Sequence, residues 1–277
     1  MSDYEDRLLR VLRHIHDNPA GDLSLDRLAE VAAMSRFHWH RVFHGMTGET
    51  AAQAIRRIRM NRAACWLVQT DWPISVVAAR CGYPSVPSFS RVFRDSHGLP
   101  PGQFRTSGAR HGVLIPPKPG EKTMYSVEIA DQPARALAAI PHKGAYIEVG
   151  RAFETVGALC AARNLWPQVR GMVGVYYDDP DAVPEAELRS HAGVWVPEDL
   201  VLEDPFERIV LSGGKSAVLH FKGPYAGLKA AYDFLYGDWL PRSGEEMRPE
   251  PSYEVYLNSP ADTAPADLLT DICVPLK

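Results

Sequence analysis

Basic and ring-bearing side chains share one face of a predicted helix in the N-terminal half of the chain. The helix follows Ser35, and its apolar residues recur with the i, i+3, i+4, i+7 spacing of a buried stripe. Arginine can contact guanine edges or phosphates, and rings can contact thymine methyl groups in the major groove. The face therefore predicts contact with double-stranded DNA, and the alternative is a solvated basic surface. Its members are Arg36, Phe37, His40, Arg41 and His44.

The same pattern recurs at an offset of 50 residues, where Arg41–Phe43 returns unchanged as Arg91–Phe93. A constant offset indicates a duplicated supersecondary unit. Each copy reads as a short helix, a tight turn and a longer helix, which is typical of a helix-turn-helix. The second face has fewer donors to base edges, so it is predicted to depend more on phosphate and methyl contacts. It carries Pro87, Ser88, Arg91 and Arg94.

A carboxylate lies among aromatic residues near the C-terminal end of the sequence. In the predicted strand within residues 252–258, period-two alternation puts Glu254 and Tyr256 on one face. If that face lines a groove, the pair can hold a cation by charge and by ring quadrupole. Burial can also raise the carboxyl pKa enough for acid–base chemistry. The alternative is an exposed glutamate on an edge strand.

Other constellations are weaker. His40 and His44 have a spacing compatible with a metal ion, but the sequence offers no third ligand nearby. Residues 213–216 resemble the end of a phosphate loop, but Ile209 stands where that motif needs glycine. No Ser/His/Asp or Cys/His arrangement stands out. We therefore predict no metal ligand, no cofactor and no catalytic residue.

The elements that must position these residues follow from periodicity and capping. Ser24 is a good N-cap for a helix over 25–32, and Ser35 for a helix running to about Met46. A long helix from about Thr50 to Val68 connects the two copies. Helix breakers then predict a linker over residues 108–122, between domains at 1–107 and 123–277.

The second half also repeats itself, because Lys143–Tyr146 returns as Lys222–Tyr225 at an offset of 79. A strand-like run precedes each copy and a helical pattern follows it, and Phe153 corresponds to Tyr232. Alternating strands complete both halves. The fold class is therefore an N-terminal all-α double helix-turn-helix and a C-terminal α+β domain of two pseudo-symmetric β-α-β-β modules around a groove. Such a groove is a natural ligand site.

Composition is that of an ordinary globular protein of 277 residues with net charge −4. The charge is uneven: residues 1–110 contain 15 arginines, no lysine and 10 acidic residues, and the remainder contains 15 basic and 24 acidic residues. A basic half suits polyphosphate, and an acidic half suits a small cationic ligand. The four cysteines are scattered, and Cys81 is predicted to be a buried thiol. No signal peptide or membrane-spanning run stands out, so we expect a cytoplasmic protein.

The N-terminal half resembles the AraC/XylS type of DNA-binding domain over residues 7–106. The resemblance rests on Leu25–Ala29, Ser35–Phe43, Ala78–Tyr83 and Phe89–Phe93, followed by Pro100–Arg105. It implies two recognition helices in successive major-groove segments. Base and phosphate contacts would then fall on Phe37, His40 and Arg41 in the first helix, and on Pro87, Ser88 and Arg91 in the second.

Residues 124–277 resemble the GyrI-like, or Rob-type, effector-binding domain. The resemblance rests on Lys143–Tyr146, Gly174–Pro180, Val194–Asp199, Lys222–Tyr225 and Tyr253–Asn258. It implies a groove for aromatic, often cationic, small molecules, with an acid at the position of Glu254. The expected effector-binding residues are Glu254, Tyr256, Tyr146, Tyr225, Trp195 and Tyr176.

These inferences predict a ligand-responsive transcription regulator rather than an enzyme. The expected partners are double-stranded DNA, RNA polymerase and a small aromatic or cationic effector, with no membrane. A rival from another class is a small-molecule hydrolase or drug-sequestering protein that uses Glu254 as acid or base. A third alternative is a DNA-binding protein whose effector pocket is vestigial.

Overall fold

The computed structural model describes residues 3–107, 124–260 and 262–277. The predicted linker, residues 108–122, lies outside the described residues. The domain boundaries on either side of it therefore stay a prediction.

The chain forms two compact units. The described residues of Met1–Arg36 and Thr47–Pro119 make up one unit. Phe37–Met46 and the described residues of Gly120–Lys277 make up the other. The grouping of Phe37–Met46 with the C-terminal residues was not expected, because the sequence assigned residues 1–107 to one domain.

The N-terminal part of the chain is helical, as predicted. Its helices are α1 (Asp3–Asp17), α2 (Leu25–Ala32), α3 (Trp39–Thr47), α4 (Ala51–Gln69), α5 (Ile74–Arg80), α6 (Val86–His97) and α7 (Pro101–Ser107). The helix α7 was not predicted separately; Pro101 begins it because proline is compatible with the first helical position.

Side-chain caps define several helix starts. Ser24 Oγ accepts a 3.3 Å hydrogen bond from the Arg27 amide, and Ser85 Oγ accepts one of the same length from Ser88. Thr50 forms a reciprocal capping box at the start of α4. The predicted start of α3 after Ser35 is wrong by a few residues. Residues 36–38 form a turn, and the helix begins at Trp39.

The second helix-turn-helix copy has its own aromatic core. Phe89 and Phe93 of α6 are fully buried against α4, α5 and Phe104. Cys81 is a buried free thiol, as predicted, and its Sγ donates to the Arg59 carbonyl at 3.4 Å. Burial raises the pKa of Cys81 to about 12, so the thiol stays protonated. This core fixes the angle at which α6 presents its outer face.

The C-terminal part is an antiparallel eight-stranded sheet in the order β1-β6-β8-β7-β3-β4-β2-β5. Its halves mirror each other about the central β7–β3 pair, which confirms two pseudo-symmetric modules. The edge strands β1 and β5 were not predicted. The strands are β1 (Val127–Gln132), β2 (Arg135–Lys143), β3 (Gly171–Tyr176), β4 (Arg189–Val196), β5 (Glu207–Leu211), β6 (Gly214–Lys222), β7 (Ser252–Tyr256) and β8 (Leu269–Pro275).

Each module carries its helix between its first and second strands. The first helix is α8 (Gly150–Ala162), and the second is α9 (Leu228–Phe234). A π-helical stretch, Leu235–Trp239, continues α9 into α10 (Leu240–Ser243). Stretches of π-helix are rare and often lie at functional sites. In the part of the chain that the structure describes, no helix is both long and apolar enough to cross a membrane.

Candidate functional site

A cavity of about 770 Å³ opens beside the central strand pair of the sheet. Gly174 of β3 lies opposite Glu254 of β7 in the strand register. The helices α8 and α9 contribute Phe153 and Tyr232 to the walls. The two pseudo-symmetric modules therefore meet at the cavity, where the sequence predicted a groove.

Glu254 is the carboxylate in this cavity. It is 3% exposed, and burial raises its pKa. Tyr256 donates to Oε2 at 2.7 Å, and Tyr232 donates to Oε1 at 3.0 Å. These hydrogen bonds lower the pKa and partly offset the effect of burial. A buried carboxylate with both oxygens so fixed is a preorganised partner for a cation.

The tyrosine network extends one residue further, because the hydroxyls of Tyr176 and Tyr256 lie 2.6 Å apart. Since the Tyr256 hydroxyl donates its hydrogen bond to Glu254, the Tyr176 hydroxyl must donate to Tyr256. Gly174 makes room for this pair. A Cβ atom there would lie 2.9 Å from the Tyr176 ring and 3.0 Å from the Tyr256 hydroxyl.

Aromatic rings make up much of the remaining wall. The Tyr256 ring makes edge-to-face contacts with Tyr225 at 5.5 Å and with Phe153 at 5.3 Å between centroids. Tyr146 and Tyr176 make a similar contact at 4.9 Å. These rings provide apolar surface and π-faces on several sides of the carboxylate.

The structure brings together most of the residues predicted to bind an effector. Glu254, Tyr256, Tyr146, Tyr225 and Tyr176 all line the cavity. Trp195 does not, and its placement in the groove was wrong. On β4 the alternate residues Val194 and Val196 face α8, so Trp195 points to the other face of the sheet. There it lies 5.0 Å from the Arg135 guanidinium carbon.

Sequence reasoning missed several cavity residues. Tyr232, a direct donor to Glu254, and Phe153 occupy equivalent positions in the two repeats. The 79-residue offset already paired them and could have found both. Met172 also lines the cavity, and it lies two residues before Gly174 on the same strand face.

Two residues predicted to contact DNA also line the cavity. Arg41 and His44 of α3 belong to its wall. His40, expected on an outer face, is only 7% exposed, and burial lowers its pKa to about 4. Arg36 is exposed and Phe37 is half-buried. In this structure α3 therefore faces the C-terminal sheet domain, and its contact with DNA stays a prediction.

His44 has carboxylate neighbours that the sequence did not reveal. One ligand atom each of His44, Asp181 and Asp233 lie within 4.8 Å of one another. The Lys229 ammonium sits at the same place, 2.5 Å from Asp181 and 3.4 Å from Asp233. The Lys229 ammonium thus balances one of the two carboxylate charges beside His44.

The second predicted DNA-contact face is accessible. Pro87, Arg91 and Arg94 on α6 are exposed, and Ser88 is half-buried. Phe89 and Phe93 anchor the opposite side of the helix in the core. The helix thus presents two guanidinium groups outward, the arrangement that phosphate contact requires.

Two family models match the chain. Residues 28–107 match a helix-turn-helix domain of AraC type, and residues 125–277 match the GyrI-like small molecule binding domain. The second match covers more than half of the chain.

The curated relatives match about a third of the chain. An uncharacterized HTH-type transcriptional regulator, YbfP of Bacillus subtilis, is 31% identical over 103 residues, which cover 37% of this chain and 35% of that protein. The multiple antibiotic resistance protein MarA of Escherichia coli is 33% identical over 95 residues, covering 34% of this chain and 75% of MarA. The chain spans only about a third of the first two curated relatives.

Among solved structures, an AraC-type transcriptional regulator from Chromobacterium violaceum matches 39% of this chain and 96% of its own. The identity is 28%, and the TM-score is 0.37.

Proposed function

Because the chain belongs to the GyrI-like family of small-molecule-binding domains and carries an AraC-type helix-turn-helix domain, we propose that it is a ligand-responsive transcription regulator. Its proposed partners are double-stranded DNA, RNA polymerase and a small aromatic cation. DNA contact is assigned to the predicted contact residues of the two recognition helices, α3 and α6, and effector binding to the cavity around Glu254.

One observation carries the choice of ligand class: the buried Glu254 carboxylate faces a cavity walled by tyrosine and phenylalanine rings. A carboxylate out of water is costly unless it is paired, so a cationic ligand gains strongly by approaching it. Ring faces attract the same cation through their quadrupoles. An aromatic cation would satisfy the charge and the apolar walls together.

The hydrolase alternative is less well supported. Both oxygens of Glu254 already accept phenolic hydrogens, from Tyr232 and Tyr256. The curated relative YbfP is a transcriptional regulator by its name. Turnover of p-nitrophenyl acetate that Glu254→Gln abolishes would favour the hydrolase.

The test of the effector site is calorimetric titration with tetraphenylphosphonium, a permanently charged aromatic cation whose tetrahedral shape prevents intercalation into DNA. Neutral triphenylphosphine oxide serves as the uncharged ligand of similar shape. Glu254→Gln should weaken binding of the cation by about 2–5 kcal/mol, because the charge of the ligand loses its buried partner. The neutral ligand should bind both proteins alike.

The matched control is Glu128→Gln, which removes an exposed carboxylate of the same domain. This substitution should leave the affinities for both ligands unchanged. Equal affinity of wild type and Glu254→Gln for tetraphenylphosphonium would reject Glu254 as the counter-charge. For the DNA half, the purified protein should select a common sequence from random duplexes; selection of none would count against a sequence-specific regulator.

A further inference from the structure

The helix α3 touches the C-terminal sheet domain backbone to backbone. A Cβ atom added at Gly237 would lie 2.3 Å from the Cα of Gly45, and one added at Gly45 would lie 2.3 Å from the Cα of Gly237. Gly45 belongs to α3, and Gly237 to the π-helical stretch after α9. Only residues without side chains allow two segments to approach so closely.

His38, just before α3, is inserted into the same domain. It is 1% exposed, and burial, with a contribution from the Arg41 charge, lowers its pKa to about 3. The neutral ring has Nε2 2.7 Å from the Glu250 carbonyl and Nδ1 3.2 Å from the Tyr236 hydroxyl. These partners assign the proton to Nε2, which donates to Glu250, while Nδ1 accepts from Tyr236.

Arg41 extends from α3 into the cavity wall. Its guanidinium donates to Ser252 Oγ at 3.0 Å and to the Asp178 carbonyl at 2.8 Å. The guanidinium carbon lies 4.9 Å from the Tyr232 ring centroid and 5.4 Å from that of Tyr236. Two ring faces thus already hold a cation from the protein itself.

This cation acts on the carboxylate that the effector would use. The Arg41 charge lowers the pKa of Glu254, in the same direction as the hydrogen bonds from Tyr256 and Tyr232. Tyr232 joins the two groups directly, because its ring faces Arg41 while its hydroxyl donates to Glu254. A ligand cation drawn to Glu254 and the Tyr232 ring would therefore compete with Arg41.

We propose that Arg41 is a tethered ligand of the effector pocket, which holds α3 away from DNA until an aromatic cation displaces it. The inference rests on the proposed function and deepens it, because it states how the pocket controls the first recognition helix. The Arg41 guanidinium cannot contact a base or phosphate while it donates to Ser252 and Asp178.

Two quantitative consequences follow. The apparent affinity of a ligand is its intrinsic affinity multiplied by the fraction of molecules in the binding-competent state, here the state with α3 undocked. A change that loosens α3 therefore strengthens the binding of both DNA and the cation. Linkage is reciprocal, so DNA that captures α3 raises the affinity for the cation by the same factor.

The test uses Gly237→Ala in the full chain. The added methyl group must push Gly45 away, and neither Arg41 nor Glu254 is substituted. The control is Gly157→Ala in α8, where the one described atom within 4 Å of the methyl group belongs to Trp166, at 3.9 Å. Three measurements are made on each protein: amide hydrogen exchange of residues 37–46, tetraphenylphosphonium affinity, and affinity for a duplex selected by the wild type.

Gly237→Ala should speed exchange of residues 37–46 and raise both affinities by about tenfold, as expected when a minor competent state becomes the major one. Gly157→Ala should match the wild type. A second variant guards against misfolding of the first: Tyr236→Phe removes the hydroxyl that holds His38, with Tyr177→Phe as its control on the other sheet face. It should act in the same direction with a smaller effect.

Wild-type exchange in residues 37–46 as fast as in Gly237→Ala would overturn the docked state. Faster exchange in both variants with unchanged DNA affinity would overturn the coupling. Failure of the proposed effector function would look different. Tetraphenylphosphonium would then not bind, or its affinity would be the same in wild type and Glu254→Gln. The hydrogen-exchange and DNA-binding measurements would still show whether α3 is docked.

Discussion

The phenolic hydroxyl of Tyr256 donates a 2.7 Å hydrogen bond to the carboxylate of Glu254, two residues earlier on the same strand. Period-two alternation puts both side chains on one face, and Tyr176 then donates to Tyr256 at 2.6 Å. The carboxylate is therefore fixed in orientation by a chain of phenols. The hydrogen bond also counteracts the burial that raises the pKa of Glu254.

Tyr256→Phe should weaken tetraphenylphosphonium binding, because a carboxylate that loses a donor is harder to keep ionised. Removing a hydrogen bond to a charged group costs about 1.5–3 kcal/mol, so the pKa of Glu254 should rise further. Calorimetric titration across pH should show the loss of affinity beginning at higher pH than in the wild type. Tyr225→Phe is the control, since its ring contacts Tyr256. An identical pH profile in both variants would contradict a role for the Tyr256 hydroxyl.

Cation affinity should fall as the pH is lowered. Burial raises the pKa of Glu254 above its usual 4.5, and the protonated acid offers no charge to a cation. Binding is therefore complete above the raised pKa and is lost as the pH falls through it, by about tenfold per unit once the acid is mostly protonated. The measurement is a tetraphenylphosphonium titration from pH 8 to pH 5. The Glu254→Gln variant should give a flat profile; a parallel decline in that variant would assign the pH dependence to another group.

Gly174→Ala should disturb the pocket without unfolding the sheet. The new methyl group would lie 2.9 Å from the Tyr176 ring, so the ring must move or the strand must shift. Overpacking of this kind costs about 1–3 kcal/mol, and thermal unfolding should show that loss together with weaker cation binding. Gly171→Ala on the same strand adds a methyl group with no described atom within 4 Å and serves as the control. Unchanged binding in Gly174→Ala would mean that the tyrosine positions do not matter.

Arg91→Ala should weaken binding to selected and random duplexes by a similar factor. Arg91 is exposed on α6, beside a proline and a serine that offer little base discrimination. Loss of one phosphate contact should reduce the slope of log K against log salt by about 1. Arg151→Ala, an exposed arginine of α8 in the other domain, should leave the slope unchanged. A loss confined to the selected duplex would instead assign base readout to Arg91.

Much of the fold could be predicted because it depends on local patterns. Ser24 marked a helix start that the structure contains, since a side-chain cap acts within three residues. The repeat offsets predicted both helix-turn-helix copies and both sheet modules. The edge strands β1 and β5 were missed because their residues are largely exposed and show little apolar alternation.

The sequence by itself determined the elements, their duplication and the shared face of Glu254 and Tyr256, because backbone periodicity and capping are properties of neighbouring residues. Only the tertiary structure decided which side chains surround that carboxylate. Strand alternation in β4 turned Trp195 away, and the approach of α9 brought Tyr232 to Glu254. The position of Arg41 depended on contacts with residues more than 130 positions away in the chain. No local pattern encodes such pairings, because they depend on how whole elements pack.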